Sequence, residues 1–181
     1  MTRDTVEAAR NGDQAAFMQL VRQHGDRLFA IAYRIVRDAE RARDALQEAF
    51  MLAWRDIPTL RDPDRFEQWL QRIVTNVCIA QASSERRRAT GVGHLAESSG
   101  SDEMVAVDDR DQLDRGFARL KPNERAVLVL HHYLGYSPAE IAAVLGLPQG
   151  TARSRLHHAH KAMRAALEAE ARVVVAERET A

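Results

Sequence analysis

Cysteine is almost absent from this chain, with Cys78 the single one among 181 residues. One thiol excludes an internal disulfide framework and a zinc site built on several cysteines. Glycine and proline are also sparse, at 9 and 5 residues. The polar stretches rarely alternate with apolar residues as half-buried strands require. The sequence therefore predicts an all-α fold.

Long apolar runs are absent as well. The residues that follow Met1 are polar, and no apolar run approaches the length that spans a membrane. We therefore expect a cytoplasmic protein with no membrane insertion. With 45% hydrophobic and 29% charged residues, the chain can still bury a core.

The formal net charge is zero, but the charges are unevenly distributed. Residues 1–88 carry 15 basic and 13 acidic side chains, residues 89–115 carry 2 and 7, and residues 116–181 carry 9 and 6. This basic–acidic–basic layout suits two DNA-facing domains around an acidic connector. Two ordinary soluble domains with a solvated linker would have the same layout.

The clearest break in apolar spacing begins at residue 90, where the sequence becomes small, acidic and glycine-containing. It predicts two small helical domains, 1–89 and 113–170, joined by a flexible acidic linker at 90–112. Residues 171–181 form a tail. In the first domain, apolar residues at helical spacing predict long helices at 40–55 and 66–88, separated by a proline-containing loop at 57–64.

The second domain contains the pattern of a helix-turn-helix. Ser137, Pro138 and Glu140 form a capping box with proline in the first turn, and Gly146 ends that helix. The helix that follows has no acidic residue from 149 to 166. Such a helix fits the major groove, where arginine bonds guanine in two places. A solvated basic surface helix is the alternative.

Motifs in both domains are specific enough to indicate a family. LKPNERAVL at 120–128, GYSPAEIA at 135–142 and GTARSRL at 150–156 resemble region 4 of the bacterial RNA polymerase sigma factors. DALQEAF at 44–50 and FEQWLQRIVTN at 66–76 resemble the core-binding segment and the promoter-melting helix of region 2. With both regions in the family's order, the chain resembles the small extracytoplasmic-function (ECF) group.

This resemblance implies a promoter-specific transcription initiation factor that is not an enzyme and has no cofactor. The expected partners are promoter DNA and core RNA polymerase, through a coiled coil of the largest catalytic subunit and the flap of the second-largest subunit. An anti-sigma factor is expected too. The resemblance further implies recognition of −35 and −10 elements, opening of the duplex, and an acidic linker that runs through polymerase channels.

The resemblance also assigns site residues in the first domain. Exposed members of the helix 40–55 are expected to contact core polymerase: Asp44, Gln47, Glu48 and Met51. Polar and basic residues around the helix 66–88 are expected to bind −10 DNA: Arg65, Arg72, Asn76, Arg86, Arg87 and Arg88. In the family, the residue matching Asn76 reads a flipped base, which suits an amide because it both donates and accepts. Trp69 lies in the apolar stripe and is predicted to be core.

In the second domain, the resemblance assigns the −35 element to the last helix. Its expected DNA-binding residues are Arg153, Ser154, Arg155, His157, His158 and Lys161. One departure lies in region 2, where the apolar residues 77–80 replace the polar or basic residues frequent in the family. We therefore do not predict which base is preferred in the part of the −10 element that these residues would contact.

Two other classes of function remain as alternatives. A helix-turn-helix regulator with a sensing N-terminal half would share the C-terminal features, but it would not explain the motifs at 44–55 and 66–88. A metal-dependent enzyme is suggested by the histidines alone, with His157 and His160 three apart on a helix. It lacks a third ligand and a positioned carboxylate nearby in the sequence.

Histidines at 157, 158 and 160 stand where the family often has aromatic or arginine residues. Because a neutral imidazole contacts phosphate more weakly than arginine, we predict modest promoter affinity that rises as the pH falls through the histidine range. Equilibrium binding of promoter DNA by region 4 at pH 6 and pH 8 checks this. Equal affinities at the two values would contradict it.

Overall fold

The computed structural model describes residues 2–91 and 108–179. Within these ranges the chain forms helices and no strand, which confirms the all-α prediction. The first half contains α1 (Thr2–Arg10), α2 (Gln14–Val36), α3 (Ala39–Asp56) and α4 (Phe66–Gly91). The second half contains α5 (Asp108–Arg119), α6 (Pro122–Leu128), α7 (Pro138–Leu145) and α8 (Gln149–Glu179).

Local side-chain chemistry sets the helix boundaries of the first half. Asp13 caps α2 by accepting from the N–H of Ala16 at 3.0 Å. Arg37 ends α2 in the left-handed conformation, with φ of 68°. Asp38 then caps α3 by accepting from the N–H of Arg41 at 2.9 Å. These contacts turn the chain sharply between α2 and α3, so the two helices pack side by side.

A stripe of small residues lets α3 approach its neighbours closely. Ala42, Ala45, Ala49 and Ala53 are all completely buried, at the three- and four-residue spacing of one helix face. The helices α2 and α4 pack against α3, and they contribute Leu28, Ile31, Ile35, Leu70 and Val74 to the same core. The opposite face of α3 is therefore left to solvent.

The loop predicted at 57–64 consists of two short 3₁₀ turns, Ile57–Thr59 and Pro63–Arg65. It is held on the bundle by three buried side chains, Ile57, Leu60 and Pro63. Asp62 supports the second turn by accepting from the N–H of Asp64 at 3.1 Å. The loop therefore presents its charged residues from a fixed base.

The second half has its own core around the helix-turn-helix. Leu120, Val127, Leu130, Ile141, Ala152 and Leu156 are its main buried members. The helix α6 continues directly into a π-helical turn, Val129–Tyr133. No helix in residues 2–91 and 108–179 is both long enough and apolar enough to cross a membrane.

The two halves pack against each other. Ala126 and Val129 belong to the hydrophobic core of the first half, and α4 contacts both α6 and α7. The helix α4 extends to Gly91 and α5 begins at Asp108, both inside the range predicted for the linker. The rest of that range, 92–107, lies outside the described residues. In the predicted tail, α8 continues to Glu179.

Candidate polymerase and nucleic-acid interface

The outward side of α3 carries the residues predicted to contact polymerase. Asp44, Gln47, Glu48 and Met51 are all exposed, and the side chain of Met51 is 67% exposed. They share one side of the helix because their spacing follows its turns. Glu48 also accepts a hydrogen bond from Nε2 of Gln81 at 2.7 Å, which ties this side to α4. We call these four residues the α3 surface.

The predicted −10 residues fall into two groups. Arg65, on the second 3₁₀ turn, has a side chain that is 76% exposed and lies 3.5 Å from Asp62. Arg72 and Asn76 are exposed one turn apart on α4, so they point to the same side. The arginines at 86–88 are exposed as well, but they lie about three to four turns further along the helix, on the order of 20 Å away.

Trp69 is less buried than its position in the apolar stripe predicts. One side of its ring packs on the core near Phe66, with ring centroids 5.9 Å apart. The residue also lines a cleft beside Arg65 and Arg72. The prediction that Trp69 is a core residue is therefore confirmed only in part, because a ring at the edge of the apolar stripe contacts both the core and the cleft.

This cleft lies between the two halves and has a volume of about 1120 Å³. Its first wall is the loop and the start of α4, and its second wall is α7, with Ala139, Glu140 and Ala143. The cleft is lined by four arginines, Arg27, Arg61, Arg65 and Arg72. Acidic side chains on the same walls balance their charge. We call it the interdomain cleft.

The capping box at the start of α7 is formed as predicted. The carboxylate of Glu140 accepts from the N–H of Ser137 at 2.8 Å, and Ser137 Oγ accepts from the N–H of Glu140 at 3.3 Å. Hydrogen bonds from Ser137 lower the pKa of the Glu140 carboxyl. Gly146 ends α7 with φ of 64°, a left-handed conformation that glycine adopts without strain. These caps fix the angle at which α8 leaves α7.

On α8, most of the predicted −35 residues lie opposite the buried side. Ala152, Leu156 and Ala159 face the core. The exposed side carries Arg153, Ser154, His157, His158 and Lys161, which we call the reader face. Arg155 is half-buried and lies at its flank. Ser154 Oγ donates to the carbonyl of Thr151 at 3.0 Å, which leaves its oxygen able to accept a hydrogen bond.

The histidines combine differently from the sequence pattern. His160 does not pair with His157, and instead its Nε2 lies 2.8 Å from Nε2 of His132 on the turn after α6. Burial and then the neighbouring His131 and His160 lower the pKa of His132. This contact requires that at least one of the two imidazoles be neutral, because one of the two nitrogens must accept the hydrogen bond. Across residues 2–91 and 108–179, no three histidine, cysteine or acidic side chains are placed to hold a metal ion.

Sequence reasoning missed the polar contacts between the halves. Gln71, on α4, is buried and accepts from the hydroxyl of Tyr136. Arg125, on α6, is also buried and donates to the carbonyl of Ile35 at 2.7 Å. Each partner is more than 60 positions away in sequence, so no local spacing could have revealed the pair. One sign of these contacts is present in the sequence: a polar residue, Gln71 or Arg125, stands beside the apolar stripe of its helix.

Comparisons with known proteins agree with this arrangement. The family model of Sigma-70 region 2 matches residues 20–88, and that of Sigma-70, region 4, matches residues 110–163. The ECF RNA polymerase sigma factor SigL of Mycobacterium tuberculosis is 33% identical over 168 residues, which covers 90% of this chain and 95% of that protein. The chain belongs to the ECF RNA polymerase sigma factors. This sigma factor is therefore a promoter-specific transcription initiation factor.

More distant relatives share the same layout. SigW of Bacillus subtilis is 26% identical to this sigma factor, over 91% of this chain and 95% of its own. The solved structure of CnrH in complex with the cytosolic domain of CnrY is 29% identical, covers 93% and 97% of the two chains, and has a TM-score of 0.58. RpoE from Bartonella quintana, solved with the anti-sigma factor NepR, has the same fold, with 21% identity, coverage of 84% and 96% and a TM-score of 0.67.

Proposed function

We propose that this sigma factor binds core polymerase and the two promoter elements through three separate exposed surfaces. The α3 surface binds core polymerase, the loop and α4 take the −10 element, and the reader face of α8 takes the −35 element. The observation that carries this proposal is that each set of residues is exposed directly opposite a buried face. Each surface is thus held rigidly by the core behind it.

At the −10 element, the chemistry is the capture of unstacked bases. Taking a base out of the duplex costs a few kcal/mol, and stacking on an aromatic side chain or on arginine returns about 1–3 kcal/mol per base. The half-exposed ring of Trp69 and the amide of Asn76 are the groups that can hold a base. Arg65 and Arg72 then hold the adjacent phosphates, and the arginines at 86–88 take backbone further along the strand.

At the −35 element, α8 reads the duplex from the major groove. Arg153 lies in the first turns of α8, where a recognition helix contacts base edges. Ser154 and Lys161 contact phosphates, which position the helix without reading sequence. His157 and His158 add positive charge when they are protonated.

The partners follow the same division. The α3 surface binds a coiled coil of the largest polymerase subunit, and the second half binds the flap of the second-largest subunit. We propose 1–89 and 113–170 as the bounds of the two functional domains. An anti-sigma factor is a further partner, and it would have to cover at least one of the three surfaces.

Run-off transcription tests the proposed function as a whole. Core polymerase is incubated with a promoter library, with and without the full-length protein. We expect specific transcripts only when the protein is present, with both promoter elements shared among the templates that are used. If the protein formed no complex with core polymerase, the proposal would be overturned.

Replacing Met51 tests the polymerase contact. Met51→Lys replaces the exposed apolar residue of the α3 surface with a charge, so we expect the affinity for core polymerase to fall by about 1–2 kcal/mol, or roughly 5- to 30-fold. The matched control is Met18→Lys, because Met18 is also an exposed methionine, 44% exposed on α2. Binding measured with labelled protein should be unchanged for Met18→Lys. Equal losses in the two variants would contradict the assignment of α3.

Replacing Arg153 tests the reader face. Arg153→Ala removes a base contact, so we expect −35 binding to weaken by about 1–3 kcal/mol, with relaxed preference at one base pair. Arg164→Ala is the control, because Arg164 is an exposed arginine three turns further along the same helix. It removes the same charge and should leave sequence preference unchanged. Competition binding with substituted −35 duplexes measures both. Unaltered preference in Arg153→Ala would refute its role in base recognition.

A further inference from the structure

Three histidines of the second half gather where α8 lies beside the π-helical turn that follows α6. Nε2 of His132 is 2.8 Å from Nε2 of His160. The ring of His131 is close to both, with its centre 4.8 Å from that of His132 and 6.1 Å from that of His160. None of the three has a part in the proposed contacts with polymerase or DNA, so their grouping calls for a separate explanation.

The π-helical turn that carries His131 and His132 is an unusual local structure. The N–H of Leu134 donates to the carbonyl of Val129 at 3.2 Å, five residues earlier instead of the four of an α-helix. Single π-helical turns are rare in proteins, and many of them lie at functional sites. This conformation therefore favours a functional role for the histidines that the turn carries.

The core holds the backbone on both sides of the histidine pair. Leu130, two residues before His132, is completely buried, and so is Ala159, the residue before His160. The two Nε2 atoms come from positions 28 apart in the sequence, so only the fold brings them together. Their separation is thus a property of the packed second half and does not arise from neighbouring positions on one helix.

This separation fits a metal ion shared by the two imidazoles. Imidazole nitrogens bind a transition metal at about 2.0–2.1 Å, so two of them are about 2.9 Å apart when they meet the ion at a right angle, and about 3.3 Å apart at a tetrahedral angle. The observed 2.8 Å is closest to the right-angled arrangement. Right angles between nitrogen ligands are typical of tetragonal Cu²⁺ and Ni²⁺.

The surroundings favour the neutral form of imidazole, which is the form that binds metal. Burial, and then the neighbouring His131 and His160, lower the pKa of His132. Nδ1 of His131 lies 2.8 Å from the carbonyl of Tyr136, which can only accept, so this nitrogen carries the proton of a neutral ring. The alternative to a metal is a plain hydrogen bond between two neutral rings. At an exposed place such a bond contributes little, because it replaces equivalent bonds to water.

The ligand set indicates the kind of metal. In residues 2–91 and 108–179, no third histidine, cysteine or carboxylate completes a set of three with this pair. The protein therefore supplies two nitrogens, and water fills the other positions. Mg²⁺ and Ca²⁺ prefer oxygen ligands and do not suit such a pair. Imidazole suits Ni²⁺, Cu²⁺ and Zn²⁺, and of these Cu²⁺ has the highest affinity for a given site.

We propose that His132 and His160 form a binding site for a late first-row divalent metal ion, Ni²⁺, Cu²⁺ or Zn²⁺. The ion links α8 to the π-helical turn and so fixes the last helix to the rest of the second half. It also lies beside the reader face, because His160 comes two turns after Arg153 on the same side of α8. The site itself does not depend on the proposed function.

Titration of the full-length protein with Cu²⁺ tests the site. The protein is first freed of metal with a chelator, and binding is then followed by calorimetry and by electron paramagnetic resonance. We expect one ion per chain, coupled to two imidazole nitrogens. The melting temperature should rise with Cu²⁺, because the two ligands are together only in the folded protein, and it should not rise with Mg²⁺. If Cu²⁺ showed no saturable binding, the proposal would be overturned.

Histidine variants identify the ligands. Loss of even an outer-sphere partner weakens metal binding by about 10- to 100-fold, so His132→Ala and His160→Ala should each weaken Cu²⁺ binding at least as much. Each should also lose the rise in melting temperature. His157→Ala is the matched control, because His157 is an exposed histidine three residues before His160 on the same helix. Its binding should equal that of the unchanged protein.

The same variants separate this site from a site on α8 alone. If His157→Ala weakened binding and His132→Ala did not, the ion would be held by two neighbours on one helix, and the proposal would be overturned. Unchanged binding in both His132→Ala and His160→Ala would overturn it as well. The melting temperature of each variant without metal checks that the fold is kept.

The metal site and the proposed function fail separately. The metal site fails if Cu²⁺ binding does not need His132 and His160, even when the protein supports specific transcription. The proposed function fails if no complex with core polymerase forms, even when the ion binds as expected.

Discussion

The guanidinium of Arg125 is withdrawn from water and held by one carbonyl from each half of the molecule. Burial of a charge without a carboxylate partner opposes folding by several kcal/mol unless hydrogen bonds offset it. The carbonyl of Ile35 provides that offset because it stands at the unpaired end of α2, where the helix dipole favours a cation. The second half is thereby placed against α2 and α4. The cleft, the contact of Tyr136 with Gln71 and the orientation of α7 all follow from that placement.

Most of the fold could be predicted from the sequence because its determinants are local. Asp13, Asp38, Ser137 with Glu140, and Gly146 each set a helix end through contacts within a few residues. The alanine stripe of α3 could be recognised from its spacing alone. The surfaces of α3 and α8 then follow, because a helix with one buried face exposes the other.

The candidate site could be predicted only where exposure follows from helix spacing. Arg155 is half-buried although it lies in the same motif as Arg153, because two further residues along a helix rotate the side chain by about 200°, to the edge of the buried side. Trp69 borders a cleft that exists only once the halves meet. His160 is paired with His132, 28 positions away. Arg125 looks like an ordinary helix charge within its motif, since nothing nearby reveals that a carbonyl 90 positions earlier accepts from it.

The covalent connection between α4 and α5 makes the contact between the two halves independent of protein concentration. Because both halves belong to one polypeptide, their association is intramolecular, and dilution does not weaken it. A molecule that inserts between the halves must therefore compete with a partner whose local concentration is set by the chain itself. Its success depends on its own concentration and affinity, and is not helped by lowering the amount of the factor.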